Sequence, residues 1–252
     1  MLRPPMAAKL YAVPASHPCA TVMRALQLKD EPFEVVVYVP ALHRLLVRRR
    51  FGRRGTVPAI EFSDGTRVTG SRAIVRELER RAPDPPLFPP DGGQDRRRVE
   101  EADEWGEQVL QPLTRRIVWR ALAGRPGAQL SYLGDTKVVP WTPRPVARAV
   151  ATPMAAVARR IASSTDPAVR ADLLHLPMHL DRADRWIAQG ILGGEQVNAG
   201  DLQIGASVAL LATLDDLGPL LAGRPVGDLA RRWFPGFPGR TPAGALPSEW
   251  LP

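Results

Sequence analysis

Residues 9–39 read KLYAVPASHPCATVMRALQLKDEPFEVVVYV, and their pattern indicates the fold of the first part of the chain. The run KLYAV is apolar and ends at Pro14, which predicts a short strand. Val22, Ala25 and Leu26 then recur at helical spacing and form one apolar stripe. The segment PFEVVVYV is dense in β-branched and aromatic residues, which predicts a buried second strand. Strand, helix and strand in this order form a βαβ unit with parallel strands and a right-handed crossover.

A hairpin and a third helix follow the βαβ unit. Residues 56–70 read TVPAIEFSDGTRVTG, and Asp64-Gly65 lies between two strand-like runs. This dipeptide favours a tight antiparallel turn because such a turn needs positive φ. Residues 71–81 then show an apolar helical face, with Ser71 at the predicted N-cap position.

The composition changes at residues 82–93, APDPPLFPPDGG, where five prolines and two glycines occur in twelve residues. Such a stretch cannot continue a helix and predicts a linker. We therefore divide the chain into an α/β domain (8–82), a proline-rich linker (83–93), an all-helical domain (94–235) and an irregular tail (236–252). Helical patterns occupy residues 94–122, 146–164, 167–190, 199–218 and 226–234, with a bend expected at Pro112 and a Pro/Gly-rich passage at 124–145.

Composition narrows the function classes. The chain of 252 residues has one cysteine, which rules out an internal disulfide and favours a cytoplasmic location. No window approaches the length and hydropathy of a membrane span, and no signal peptide is evident. The net charge is +8, and six arginines lie in His43–Arg54. This basic run lacks interleaved stacking aromatics or zinc-ligand spacing, so we expect no nucleic-acid partner.

Two further groups of residues are candidates for a functional role. His175 and His179 have the i, i+4 spacing of metal ligands, but Pro177 lies between them and no third ligand is evident, so we expect no metal. Trp119 could line a hydrophobic pocket between the domains, as could Trp141. Trp105 is expected to fill the core instead.

Three short motifs stand at informative places in this order of elements. Val57-Pro58 opens the third strand, and Gly70-Ser71 enters the following helix. Asn198-Ala199-Gly200-Asp201 precedes a long apolar helix, and its first and last residues can form a capping box. Together with the layout, these motifs resemble the cytosolic glutathione S-transferase superfamily over residues 9–234.

The resemblance implies a fold and a thiol-binding site. The fold would be an α/β thioredoxin-like N-terminal domain, βαβ-ββα with a mixed sheet, followed by an all-α helical bundle. Pro58 would be cis, and the Val57 backbone would pair with the cysteinyl backbone of a tripeptide thiol. Ser71, at a helix N-terminus, would hold the γ-glutamyl carboxylate. Gly70 departs from the family, which often has Glu or Asp there to bind the amino group of the ligand.

The same resemblance places Ser16 at the activating position, where relatives carry Tyr, Ser or Cys. Its hydroxyl would donate a hydrogen bond to the bound thiolate. Cys19 follows three residues later, and two interpretations remain open for it. It is either a small buried packing residue or a nucleophile that forms mixed disulfides, which an external thiol would have to resolve. His17 is expected in a surface loop, without a required role.

The resemblance therefore implies an enzyme that adds glutathione, or a similar low-molecular-weight thiol, to a hydrophobic electrophile, with no other cofactor. Relatives are commonly homodimers that act in detoxification. Arg44, Arg48 or Arg53 would meet a second carboxylate of the thiol. Two alternatives stay open: a non-catalytic binder of small molecules or proteins with the same fold, and a thiol-disulfide reductase that uses Cys19.

Overall fold

A four-stranded mixed sheet forms the base of the N-terminal part. The computed structural model describes residues 7–38, 43–52, 56–133 and 144–252. The strands are β1 (Ala8–Ala12), β2 (Phe33–Val37), β3 (Ala59–Glu61) and β4 (Arg67–Thr69). Their spatial order is β2-β1-β3-β4; β1 is parallel to β2 and antiparallel to β3, which pairs antiparallel with β4. The predicted βαβ unit and hairpin are both confirmed.

Helices cover both faces of this sheet. They are α1 (His17–Leu28), α2 (His43–Phe51) and α3 (Ser71–Arg81). Leu10 and Ile60 are register partners on β1 and β3, and both are fully buried in the core that includes α1 and α3. Successive side chains of a strand point to opposite faces. Tyr11 and Ala59 accordingly pack with Val47 of α2 in a separate cluster on the other face.

The prediction that the second strand is buried is wrong. β2 lies at the edge of the sheet, beside β1 only. Val35 is 44% exposed and Val37 is 36% exposed. The β-branched composition correctly indicated a strand, but an edge position follows from strand order, which composition does not encode.

The hairpin and the start of α3 depend on two glycines. Gly65 has φ +84°, as the turn at Asp64-Gly65 requires, and the Thr66 amide donates to Asp64 Oδ1 at 2.8 Å. Gly70, with φ +92°, is the N-cap of α3. Ser71 is therefore the first helical residue, and the prediction that it is the N-cap is wrong by one position.

The remainder of the described chain is helical. A five-residue π-helical segment, Gly106–Leu110, interrupts the predicted first helix, and Pro112 stands in the first turn after it. Proline has no amide hydrogen to continue the i to i−4 ladder, so a change of helix here agrees with the expected bend. The helices are α4 (Gln94–Trp105), α5 (Gln111–Ala121), α6 (Pro126–Ser131), α7 (Arg144–Ile161), α8 (Asp166–Ala188), α9 (Ala199–Leu211), α10 (Gly218–Leu221) and α11 (Pro225–Trp233). The sequence did not predict α6, which lies in the Pro/Gly-rich passage.

α9 is the central helix of the second part, since each of its thirteen residues is buried. The predicted capping box starts it. The Asp201 amide donates to Asn198 Oδ1 at 3.1 Å, and the Asn198 amide donates to Asp201 Oδ2 at 2.9 Å. The Thr21 hydroxyl of α1 donates to the Leu202 carbonyl at 3.2 Å, which ties the first part of the chain to α9.

Residues 83–93, the linker, contain neither helix nor strand. Their position is fixed by a largely buried ion pair between Lys29 and Glu79. Lys29 Nζ, on a side chain with no exposed area, donates to Glu79 Oε2 and to the Ala82 carbonyl, both at 2.6 Å. The Glu79 carboxylate also accepts from the amides of Leu87 and Phe88, at 3.0 and 3.3 Å. One carboxylate thus connects the end of α1 to the linker.

The C-terminal tail packs on the helical part, in agreement with the expectation of an irregular surface segment. The Asp216 carboxylate accepts from the amides of Gly244, Ala245 and Leu246 at 2.6 to 2.8 Å. A short 3-10 turn, Ser248–Trp250, lies near the end of the tail. None of the helices within the described ranges has the length and hydropathy to cross a membrane.

The ion pair at Lys29 gives a test of this architecture. We expect Lys29→Met to lower the free energy of unfolding by about 3 kcal/mol, because it leaves the partly buried Glu79 carboxylate without its cation. Equilibrium urea denaturation measures the change. The control is Arg80→Met, since the Arg80 side chain is 69% exposed in its pair with Glu77. The control should lose less than about 1 kcal/mol. Equal losses in the two variants would contradict the role given to Lys29.

Candidate functional site

The turn between β1 and α1 brings Ser16 to the first turn of α1. Ala15 has φ +53°, in the left-handed region, and the Ser16 amide donates to the Val13 carbonyl at 3.3 Å. Ser16 is the N-cap of α1, but its side chain makes no capping hydrogen bond. Its side chain hydrogen-bonds with the Cys19 thiol instead. Ser16 thus lies at a helix N-terminus, where partial positive charge favours an anion.

Ser16 lies on the wall of a cavity of about 260 Å³. The wall is formed by the β1–α1 turn, the approach to β3 and helices of the second part. Most of the surface is apolar, as expected for a site that holds an uncharged organic molecule. Thr56 and Val57 precede β3 on one side, and Val118, Trp119 and Leu122 come from α5 and its end on the other.

The charged lining of this cavity has one sign. Arg115 of α5 contributes to the wall, and no described residue of the wall is acidic. The first turn of α1 also carries no acidic residue. The positive charge of Arg115 helps to lower the pKa of His17, and it acts on the Cys19 thiol in the same direction. The field at the start of α1 therefore favours a negative charge on a bound ligand.

Cys19 does not line the cavity. Its side chain is fully buried in the core. Burial raises the pKa of its thiol to about 11, although hydrogen bonds from the Ser16 side chain and the Val13 backbone act in the opposite direction. Because the thiolate is the nucleophile, this position favours the packing interpretation and argues against the catalytic role considered for Cys19.

The start of β3 has the geometry implied by the resemblance. The peptide bond between Val57 and Pro58 is cis, as predicted. The Pro58 carbonyl accepts from the Gly70 amide at 2.9 Å, which joins the start of β3 to the entry of α3. Among the loop and turn hydrogen bonds between described residues, none uses the Val57 amide or carbonyl. Val57 also forms part of the cavity wall, as Ser16 does.

Ser71 and Gly70 are placed differently from Ser16 and Val57. Ser71 is only 2% exposed, and its hydroxyl accepts from Gln111 Nε2 at 3.3 Å and from Gln203 Nε2 at 3.2 Å. The hydroxyl therefore faces the helical part, where it contributes to the contact between the two halves of the chain. Gly70, Ser71 and Pro58 are not part of the wall of the 260 Å³ cavity.

Sequence reasoning missed two residues of this site. His17 is not in a surface loop but is the first residue of α1, 2% exposed, on the cavity wall. Arg115 lies in a run with Arg116 and Arg120, and only packing shows which of these arginines reaches the cavity. The position of His17 directly after Ser16, at a helix start, was the one available signal.

Of the other residues predicted from the sequence to have a functional role, some line the cavity and others do not. Trp119 lines the cavity as predicted, while Trp105 lies in the core, 5.3 Å from Trp186 between ring centroids. Arg48 is exposed on α2 and is not part of the cavity wall. The part of the chain that the structure describes contains no cluster of side chains suited to a metal, and His175 and His179 form none. Trp141, Arg53 and the side chain of Arg44 lie outside the described residues.

The comparisons with known proteins agree with this geometry. Residues 10–86 match the family model of the glutathione S-transferase N-terminal domain. A search of curated proteins finds no match to the sequence. The resemblance noted from the motifs is therefore confirmed for the first third of the chain by its sequence.

Solved structures extend the likeness to the whole fold. A glutathione S-transferase from Methylobacterium radiotolerans, in complex with glutathione sulfonate, is 21% identical, with 92% of this chain and 93% of that chain covered and a TM-score of 0.56. Glutathione transferase F7 from Populus trichocarpa is 18% identical, with 90% and 92% covered and a TM-score of 0.62. A glutathione S-transferase from Sinorhizobium meliloti 1021 is 18% identical, with 97% and 98% covered and a TM-score of 0.58. The chain has the glutathione S-transferase fold.

The burial of Cys19 predicts low reactivity in the native protein. At pH 8 the thiol should react with dithiodipyridine about a hundredfold or more slowly than free cysteine, because a pKa of about 11 leaves little thiolate and the core excludes the reagent. The rate is followed by absorbance. In denaturant, one thiol per chain should react at once. Rapid labelling of the native protein would restore Cys19 as a candidate nucleophile.

Proposed function

We propose that this protein transfers a low-molecular-weight thiol, glutathione or a similar compound, to a hydrophobic electrophile. The observation that carries the proposal is the place of Ser16, at the N-terminus of α1 and on the wall of an apolar cavity whose described charge is positive. A thiolate needs a hydrogen-bond donor and a positive field, while its electrophilic partner needs an apolar surface. The cavity offers both within about 260 Å³.

The reaction begins with ionisation of the thiol. The Ser16 side chain exchanges its hydrogen bond with the Cys19 thiol for one that its hydroxyl donates to the sulfur of the bound thiol. The charge of Arg115 together with the α1 N-terminus lowers the pKa of the bound thiol. The proton leaves to solvent, and the thiolate attacks an electrophile that lies against Trp119 and Val118. The new sulfur–carbon bond replaces the bond to a leaving group, such as chloride, which departs to solvent with the bonding electrons. Holding the two reactants side by side converts an encounter in solution into an effectively intramolecular step.

The peptide part of the thiol would lie along the start of β3. The amide and carbonyl of Val57, next to cis-Pro58, would pair with its backbone. The amides at the N-terminus of α3 would take a carboxylate, at Ser71 and beyond. The Ser71 hydroxyl already accepts two hydrogen bonds, and Gly70 offers no side chain to the amino group of the ligand. These two features do not select glutathione among small thiols, so the proposed thiol substrate is glutathione or a similar compound.

A second candidate is a non-catalytic binder with the same fold. The same two features favour it, namely the glycine at position 70 and the engaged hydroxyl of Ser71. Retention on immobilised glutathione, followed by a conjugation assay, separates the candidates, since binding without turnover identifies the binder. A thiol-disulfide reductase has no comparable support, because the Cys19 thiol is buried.

The oligomeric state, the cellular location and the cofactor requirement are part of the same proposal. We expect a homodimer that acts in the cytoplasm, in the removal of reactive electrophiles, with no cofactor beyond the thiol. The single cysteine agrees with a reducing compartment. Light scattering of the purified protein measures the oligomeric state.

Ser16→Ala tests the proposed chemistry. We expect kcat/KM for conjugation of glutathione with chlorodinitrobenzene to fall about a hundredfold, because the donor to the thiolate is lost. The pH-rate profile should also move to higher pH, since the bound thiol would then have a higher pKa. The control is Ser63→Ala in the exposed hairpin turn, which should leave both quantities unchanged. Full activity of the Ser16 variant would contradict the proposed mechanism.

A further inference from the structure

The C-terminal tail packs against Tyr132, which is part of the wall of the cavity of about 260 Å³. Two hydrogen bonds fix the tail backbone at this contact. The Thr241 amide donates to the Thr213 carbonyl at 2.8 Å, and the Arg240 amide donates to Ser131 Oγ at 3.0 Å. The tail is therefore anchored both to the segment that follows α9 and to the residue that precedes Tyr132.

A chain of buried hydroxyl groups connects the tail to Tyr132 and to the end of α9. The Tyr132 hydroxyl lies 2.7 Å from Thr213 Oγ1 and 2.9 Å from Thr241 Oγ1. Thr213 donates its single hydroxyl proton to the Leu210 carbonyl at 2.6 Å, so it accepts from Tyr132. Tyr132 has then used its own proton and accepts from Thr241. Because a buried hydroxyl without a partner is costly, this chain holds the hydroxyl end of the ring in one place.

Gly239 brings the tail backbone directly onto the ring of Tyr132. Gly239 has φ +100°, and a Cβ at this position would lie 2.5 Å from Cγ and 2.6 Å from Cε1 of the ring. Such distances are too short for two carbon atoms that are not bonded to each other, so the ring keeps its position only because residue 239 has no side chain. Tyr132 thus contacts the tail and lines the cavity at the same time.

We propose that Gly239 and Thr241 position Tyr132, and that the tail thereby sets the size of the apolar molecule that the cavity accepts. Neither tail residue is part of the cavity wall, so both act through the tyrosine ring. A wall held by hydrogen bonds and by a close backbone contact cannot give way to a larger ligand at low cost. The inference rests on the proposed function in one respect, because the apolar molecule would be the electrophile.

Gly239→Ala tests the contact between the tail and the ring. The added methyl group should push the ring toward the cavity, because the tail backbone is anchored at the next two residues. N-phenyl-1-naphthylamine is a large uncharged probe whose fluorescence rises in an apolar site, and its Kd should increase about tenfold or more. The Kd of toluene, measured by calorimetry, should stay within about threefold because toluene is much smaller.

Gly244→Ala is the matched control for this measurement. Gly244 lies in the same tail and also has positive φ, +78°, but a Cβ there would meet no atom within 4 Å. The backbone strain of the substitution is therefore similar, while the contact with Tyr132 is absent. This variant should bind both probes as the natural protein does.

Tyr132→Leu shows whether the effect of Gly239→Ala passes through the ring. Leucine is smaller than tyrosine and opens the wall, so this variant should bind N-phenyl-1-naphthylamine at least as tightly as the natural protein does. Adding Gly239→Ala to Tyr132→Leu should change that Kd by less than about threefold, because the ring that the methyl group displaces is gone.

Hydrogen exchange of the natural protein provides a test that does not depend on the folding of any variant. If Tyr132 couples the tail to the cavity, a bound ligand must stabilise the tail contact, since such coupling is reciprocal. Saturation with N-phenyl-1-naphthylamine should slow exchange of the Thr241 amide about threefold or more. Amides of the β3–β4 hairpin should slow less.

Four results would overturn the inference. They are failure of the natural protein to bind either probe, an equal effect of Gly239→Ala on the two probes, an undiminished effect in the Tyr132→Leu background, and unchanged exchange at Thr241. Both probes are unreactive and no thiol is present, so these outcomes do not depend on catalysis. If the size dependence is found while conjugation is not, the proposed function fails and the role of the tail stands.

Discussion

α1 is buried between the mixed sheet and α9, and this packing positions the elements on both sides of it. Val22 and Leu26 are completely buried, and the Thr21 hydroxyl reaches the Leu202 carbonyl across the boundary between the two parts. Because α1 is packed on two sides, the position of its first residues is fixed. That start places Ser16 at the cavity and turns Cys19 into the core, so the same packing decides which of the two residues can meet a ligand.

The boundary between the two parts is polar where it meets α3. The carboxamides of Gln111 and Gln203 both donate to the Ser71 hydroxyl, and Gln111 also donates to Gln203 at 3.0 Å. Buried polar groups of this kind stabilise one arrangement because each would be costly without its partner. On the other side, Lys29 and Glu79 hold the linker. The cleft between the parts is therefore formed before any ligand arrives, which lowers the entropic cost of binding.

The position of individual charged side chains affects the cavity more than the net charge of the protein does. The chain carries a net charge of +8, yet many of its arginines lie in ion pairs, such as Arg116 with Asp172 at 2.6 Å. Such pairs are satisfied within the protein and contribute little to a ligand. Arg115 borders an apolar cavity, where a charge is less screened than in water. One cation placed there acts more strongly on a charge inside the cavity than the excess of positive charge on the surface does.

The order of the strands and of the longer helices, the hairpin at Asp64-Gly65 and the capping box at Asn198 were predictable from the sequence, because each depends on residues close together in the chain. The short helix α6 was not. The sequence also placed Ser16 at a helix start beside a strand that begins with Val57-Pro58. Three features arise only when the layers assemble: β2 is an edge strand, Gln203 donates to the Ser71 hydroxyl from 132 positions away, and His17 is buried. Local spacing carries no information about such distant partners, and burial is a property of the assembled layers.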